Sequence, residues 1–190
     1  MFNLQTLEIA TERLLLKVLD GSFAPIVLDY FTRNAAFRHP WSPAPDEDFL
    51  TLAAQRQRLE AELAASGRGH SLRLWLFDRS DAQLRTTLGF VSLSNIVRGA
   101  FLSCHLGYEI DGGVINRGLM TEALRATIQV AFERLQLHRI EANIIPRNVR
   151  SIRVVEKLGF SYEGLSPRYL KINGVWEDHG HHVLLNAALE

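Results

Sequence analysis

The run Ser103-Cys104-His105-Leu106-Gly107-Tyr108-Glu109-Ile110 alternates as a strand does, with Cys104, Leu106, Tyr108 and Ile110 on one face and His105, Gly107 and Glu109 on the other. A glycine between an imidazole and a carboxylate suggests that a ligand or a second backbone approaches there; a polar face covered by a helix or water is the alternative. The strand feeds Asp111-Gly112-Gly113-Val114-Ile115-Asn116-Arg117-Gly118-Leu119-Met120-Thr121, a loop that opens into a helix. Unpaired main-chain N–H groups and the positive end of the helix converge at that junction, which is the chemistry of anion binding. Arg117 adds a cation, and Gly118 removes a side chain where a pyrophosphate would press on the backbone. An ordinary strand-to-helix turn is the competing reading. The loop is neither a Walker loop, since no Gly-Lys-Ser/Thr follows, nor a GxGxxG fingerprint.

Further along, Asn148 is placed to cap a helix on which Ser151, Val154, Val155 and Leu158 share a face, so a hydroxyl lies in line with an apolar stripe. Arg150, Arg153 and Lys157 form a basic stripe beside it, suited to phosphates, to RNA together with Arg147, or simply to solvent. His179, His181 and His182 invite a metal reading, but strand alternation sends His182 to the face opposite the other two and no carboxylate geometry is assured. No metal is expected.

These groups need a scaffold. Hydrophobic pattern and turn chemistry predict strands over 13–19, 71–78, 87–96, 103–110, 139–145, 160–172 and 175–185, and helices over 22–34, 46–66, 118–135 and 147–158. The second helix takes Asp46 as its cap, with Leu50, Ala53, Ala54, Gln57, Ala61 and Ala64 as a partly periodic stripe. The strand, helix, strand succession from Ser103 to Ile145 implies a right-handed crossover between parallel neighbours in an otherwise antiparallel sheet. The expected fold is α+β: a mixed, mostly antiparallel seven-stranded sheet with a parallel pair at its centre and about four helices on its faces. With 190 residues, 47% of them hydrophobic, one domain over 1–190 with one core is expected. Twenty-one Lys plus Arg against twenty-one Asp plus Glu give no whole-surface grip on DNA or anionic lipid, and neither DNA nor a membrane is an expected partner. The single cysteine, Cys104, closes no intramolecular disulfide. Glu8 and Glu12 stand where a leader would be apolar, and no run approaches the about eighteen apolar residues of a membrane span, so the cytoplasm is the expected compartment.

Taken in order, Thr11-Glu12-Arg13-Leu14, Ser94-Asn95-Ile96-Val97-Arg98-Gly99, Leu106-Gly107-Tyr108, Gly118-Leu119-Met120-Thr121-Glu122-Ala123-Leu124, His138-Arg139-Ile140-Glu141-Ala142-Asn143, Pro146-Arg147-Asn148, Glu156-Lys157-Leu158-Gly159-Phe160 and Asn173-Gly174-Val175-Trp176-Glu177-Asp178-His179 resemble the GNAT acetyltransferases. The resemblance is strongest to the bacterial ribosomal-protein-alanine N-acetyltransferases, which modify protein α-amino groups. It implies acetyl-CoA as co-substrate, its pyrophosphate on the main-chain amides of Asn116, Arg117, Gly118, Leu119, Met120 and Thr121. It implies the pantetheine arm along Tyr108, Glu109 and Ile110, and Asn143, Asn148 and Ser151 near the arm and thiol.

The same resemblance sets the catalytic expectations. The glutamate base of some relatives falls on Asn143 and their tyrosine acid on Val155, and neither side chain transfers a proton. Arg168 stands where closer relatives carry an acid, whereas Ser151 keeps the serine that protonates the thiolate. The expected reaction is direct attack of a neutral amine in a ternary complex. Backbone N–H groups polarise the carbonyl, Ser151 protonates the sulfur, and His105 or Glu109, directly or through water, takes the amine proton. An α-amino group titrates near about 8 and a lysine near about 10.4, which favours a protein N-terminus as acceptor. A small amine such as an amino sugar, polyamine or antibiotic, or an acyl-CoA-binding module without turnover, are the other readings. Phe37 and Trp41 are expected at the acceptor entrance, one of them as core. Transient ribosome contact and a monomeric or homodimeric state complete the expectation.

Overall fold

The computed structural model describes residues 3–190. Two short antiparallel strands, β1 (Glu8–Ala10) and β2 (Leu14–Lys17), open the chain and are followed by helices α1 (Ala24–Arg33), α2 (Ala35–Arg38) and α3 (Leu52–Gly67). Strands β3 (Leu72–Asp78), β4 (Thr87–Val97) and β5 (Ser103–Ile110) form an antiparallel meander. Helix α4 (Leu119–Gln129) crosses over to β6 (Arg139–Ile144), and α5 (Val149–Lys157) leads to the hairpin of β7 (Ser161–Ile172) and β8 (Val175–Leu185). The spatial order is β1-β2-β3-β4-β5-β6-β8-β7. The pairing of β5 with β6 is the one parallel pairing among the described residues.

The mixed α+β architecture with a central parallel pair is the expected one, but the described residues hold eight strands and five α-helices, not seven and four. The added strand, β1, is too short to show an alternation and exists through its pairing of Glu8, Ile9 and Ala10 with Lys17, Leu16 and Leu15. The added helix, α2, is a single turn after Asn34. Helix α3 begins later than Asp46. Thr51 is its cap, with the Ala54 N–H donating to Thr51 Oγ1 at 3.2 Å, because the segment before it turns to set Phe49 against Phe31, ring centroids 4.9 Å apart. Its inward residues are Gln55, Leu59 and Ser66, and Leu50 is exposed.

The period-2 pattern feeds two apolar layers. On one face Leu14, Leu16, Leu74, Val91, Cys104 and Ile140 pack under Ala123 and Leu124 of α4 and Val155 of α5. On the other, Trp75, Phe77 and Phe90 pack under Val27, Tyr30 and Phe31 of α1 and Leu59 of α3. Each large side chain buried this way contributes about 2 kcal/mol, so both faces of the sheet are anchored and its strands are poorly free to shift. Against that rigid frame, one seam is open. The parallel rungs are Ser103 with Arg139, Cys104 with Ile140 and His105 with Glu141, and they stop there. From that point β5 stays with β4 as far as Ile110 and β6 stays with β8 as far as Ile144. The two strands part in a V, leaving main-chain groups of β5 beyond His105 without a neighbour on that side.

Candidate active site

Between the freed edge of β5, the loop into α4 and helix α5 lies a cleft of about 340 Å³. Strand β5 contributes Tyr108, Glu109 and Ile110, the loop and first turn of α4 contribute residues 116–121, and α5 contributes Asn148 and Ser151. Phe37 and Trp41 close it from the segment around α2. Both are half-buried and neither belongs to the buried core, so the expectation that one of them is core is corrected. Phe37 packs on Gly112, where a Cβ would stand 3.1 Å from its ring, and Trp41 lies under the Arg147 guanidinium at 5.3 Å.

The start of α4 suits a diphosphate. Gly118 is the cap residue at φ +76°, a left-handed conformation glycine adopts at little cost, and it offers no side chain to the helix. The first helical hydrogen bond runs from the Glu122 N–H to the Gly118 carbonyl at 3.1 Å, so the N–H groups of Leu119, Met120 and Thr121 have no acceptor within the helix. Arg117, Arg150, Arg153 and Lys157 line the same cleft, where they would supply countercharge to a phosphate.

A prop that sequence reasoning missed holds this corner. One Glu122 oxygen accepts from the Thr11 hydroxyl at 2.6 Å and the Arg13 N–H at 2.8 Å, and the other accepts from Arg13 Nε at 2.7 Å. Arg13 Nη1 in turn donates to the Arg117 carbonyl at 2.9 Å. Burial works to raise the Glu122 pKa, but the bonds from Thr11 and Arg13 outweigh it and hold the carboxyl below the usual range. The hairpin at Thr11 and Arg13 is thereby tied to the loop that would carry the phosphates.

Deeper in the cleft, the Tyr108 hydroxyl donates to the Ser151 carbonyl at 2.9 Å, and Asn148 Oδ1 accepts from the Ser151 N–H at 3.2 Å. Burial pushes the Tyr108 phenol far up despite that bond, so it stays protonated. Glu109 is forked by Arg38, through Nε to one oxygen and through Nη2 to the other at 3.0 Å, with the Ser42 hydroxyl at 3.4 Å. Both its oxygens are thus committed to the segment that carries Phe37 and Trp41. Cys104 is no competing nucleophile: it is fully buried, and burial pushes its thiol up to about 12.

His105 and Asn143 do not line the cleft. His105 sits at the vertex of the V, its Nδ1 3.1 Å from Asn95 Nδ2 and its Nε2 3.7 Å from Glu141 Oε1. Asn143 is one alternation beyond Glu141, and its Nδ2 donates to the Tyr169 hydroxyl at 3.2 Å. Neither the Arg38 fork nor the partners of Glu141 had a local sequence signal, because each contact joins segments far apart in the chain.

A parallel pair that parts beside a glycine-capped helix, with cations around the free amides, is the arrangement of an acyl-CoA-binding acetyltransferase. The Acetyltransferase (GNAT) domain family matches residues 13–161, and the chain belongs to that family. It is 39% identical over 155 residues to the probable N-acetyltransferase YjcK of Bacillus subtilis, covering 82% of this chain and 84% of the relative. It is 34% identical over 177 residues to the [ribosomal protein uS5]-alanine N-acetyltransferase of Escherichia coli, covering 93% and 90%. The crystal structure of ribosomal-protein-S5-alanine acetyltransferase from Vibrio fischeri superposes with a TM-score of 0.91 at 33% identity, covering 97% and 99% of the two chains. The protein is an acetyl-CoA-dependent N-acetyltransferase. No helix among the described residues is long and apolar enough to cross a membrane.

Proposed function

We propose that the acceptor is the N-terminal α-amino group of a protein beginning with Ala or Ser, a ribosomal protein foremost, acetylated by direct attack with both substrates bound. The observation that carries this reading is the course of the cleft through the sheet. Its lining takes Glu109 and Phe37 from one face and Ser151 and Val154 from the other, so a coenzyme on the α4 side and a peptide end on the α1 side meet at the freed edge of β5. Similarity to uS5-alanine acetyltransferases over nearly the whole chain supports the same acceptor class.

Bound acetyl-CoA supplies the acyl thioester. The amides of residues 118–121 and Arg117 bind its diphosphate, and main-chain N–H groups of β5 left free by β6 orient the carbonyl. Asn148 fixes the first turn of α5 so that the Ser151 hydroxyl holds a proton for the departing sulfur. With Glu109 committed to Arg38, the carboxylate anchors the Phe37 and Trp41 segment against the acceptor. The reading covers residues 1–190 as one domain, monomeric or homodimeric, cytoplasmic, in transient contact with the ribosome.

Thiol release from acetyl-CoA, measured with peptides starting in Ala or Ser beside spermidine and an amino sugar, tests it. The reading expects the highest kcat/KM with a peptide and the acetyl group on its α-nitrogen by mass spectrometry. A higher kcat/KM with either small amine would transfer the assignment to small-molecule acetylation, and coenzyme binding without thiol release from any amine would leave a binding module.

A further inference from the structure

On the sheet face that carries Glu109, a polar array crosses three strands beside the open seam. Glu141 Oε1 of β6 lies 3.2 Å from Nδ1 of His181 on β8, and Nε2 of that imidazole lies 2.7 Å from the Ser166 hydroxyl on β7. A carboxylate only accepts, so the neutral imidazole of His181 that fits both contacts carries its hydrogen on Nδ1 and directs the lone pair of Nε2 at the Ser166 O–H. His181 is also the register partner of Asn143, whose Oδ1 is buried with no hydrogen-bond partner. A buried acceptor left in that state is costly and marks a place where a donor belongs. The position is telling: Glu141 is on the last rung shared with β5, and Asn143 is on the part of β6 that has already diverged. None of these side chains is among the residues that line the cleft beside β5 and α4.

We propose that this array is the acceptor-amine site, with the ammonium docked on Asn143 Oδ1 and its proton passed through the Ser166 hydroxyl to His181 Nε2, Glu141 balancing the imidazolium. In that transfer the amine N–H bond breaks as a new Oγ–H bond forms, and the original Oγ–H bond breaks as an Nε2–H bond forms. The amine keeps its electron pair for the attack, and Ser166 is a hydroxyl before and after. The titratable and charged groups around His181 are Glu141 of β6, which also pairs with Arg139 and lies near His105 of β5, Glu163 and Tyr169 of β7, and His182, next to it on β8 but on the opposite face. Arg139 binds both Glu141, at 3.0 Å, and Glu163, at 2.6 Å, so most of the local charge is paired. Burial works to raise the Glu141 carboxyl, but Arg139, His181 and Asn143 outweigh it and keep it low, which keeps an anion beside the imidazole.

The proposal rests on the N-acetyltransfer reading, and one set of measurements separates the two. Wild type is assayed first with an Ala-terminal peptide, and kcat at saturating peptide is then followed from pH 5.5 to 9 in wild type, H181Q and E141Q, with coenzyme A titration as the check on folding. The expected result is a wild-type kcat that falls as an imidazole protonates. In H181Q, kcat drops by about a hundredfold and that acid limb is gone, while coenzyme affinity is unchanged; E141Q moves the limb to lower pH. An H181Q kcat within threefold of wild type, or a lowered kcat with the same limb, overturns the relay while leaving acetyl transfer intact. A wild type inactive with every amine overturns the functional reading and the relay with it.

Discussion

Replacing Glu122 with Gln removes the charge that ties the Arg13 hairpin to the coenzyme loop without changing the shape of the side chain. Four donor contacts converge on this carboxylate, all between 2.6 and 2.8 Å. The two from the guanidinium belong to a side chain that is 47% exposed, so water screens them and together they are worth about 0.5 kcal/mol. Those from the Thr11 hydroxyl and the Arg13 N–H end on the Glu122 side chain, which is only 15% exposed. Charge-assisted bonds of that kind are worth about 1.5 kcal/mol each, and Gln keeps roughly half of that as a neutral acceptor. The expected loss is about 1–2 kcal/mol, or about 2–8 °C in Tm for a chain of this length. Because the folded carboxyl is depressed, its contribution is fully present above the unfolded value of about 4.3 and disappears as pH falls through the folded one. The difference between wild type and E122Q is therefore complete at pH 7 and closes below about pH 4. The released Arg13 also lets go of the Arg117 carbonyl, so coenzyme A binds about tenfold more weakly. Circular-dichroism melts at pH 7 and pH 3.5 and a calorimetric titration with coenzyme A check this. Equal Tm deficits at both pH values, or an unchanged Kd, would refute the prop.

Glu109→Gln loosens the Arg38 fork and with it the Phe37 and Trp41 segment, so KM for the peptide rises about tenfold while kcat stays within threefold; steady-state kinetics that show an equal fall in kcat instead would contradict an anchoring role. Tyr108→Phe deletes the donor to the Ser151 carbonyl and costs about 1 kcal/mol, read as a Tm lower by about 2–4 °C. Because burial raises the Tyr108 phenol, its contribution holds below the unfolded value of about 10 and fades as pH rises beyond it, so a Tm deficit that vanished between pH 6 and 9 would argue against a protonated donor.

Strand β5 was legible to the residue, because its alternation is bounded by loops on both sides, and the loop into α4 was legible because turn glycines stand directly before a periodic helix. Asn148 and Ser151, which the family pattern put near the coenzyme arm and thiol, stand together on the cleft wall, since their spacing at the start of α5 is local. Contacts between strands were not legible. The array of Glu141, His181 and Ser166 depends on β8 lying between β6 and β7 and on a register that shifts twice along the hairpin, which no single segment encodes. The bond from Arg13 to Glu122 spans 109 positions, and nothing near either residue signals the other. The start of α3 misled for the opposite reason: Asp46 is a good local cap, but tertiary packing of Phe49 on Phe31 overrides it in favour of Thr51.

Binding of the coenzyme's diphosphate by the amides freed at the start of α4 is open to measurement residue by residue. An amide-resolved NMR titration of the isotope-labelled protein with coenzyme A tests it most directly. The largest shifts are expected at Gly118, Leu119, Met120 and Thr121, saturating at micromolar concentration, with a loss of affinity in G118V, where the left-handed backbone is strained for a β-branched residue. Shifts that spare those four amides at millimolar coenzyme A would contradict it.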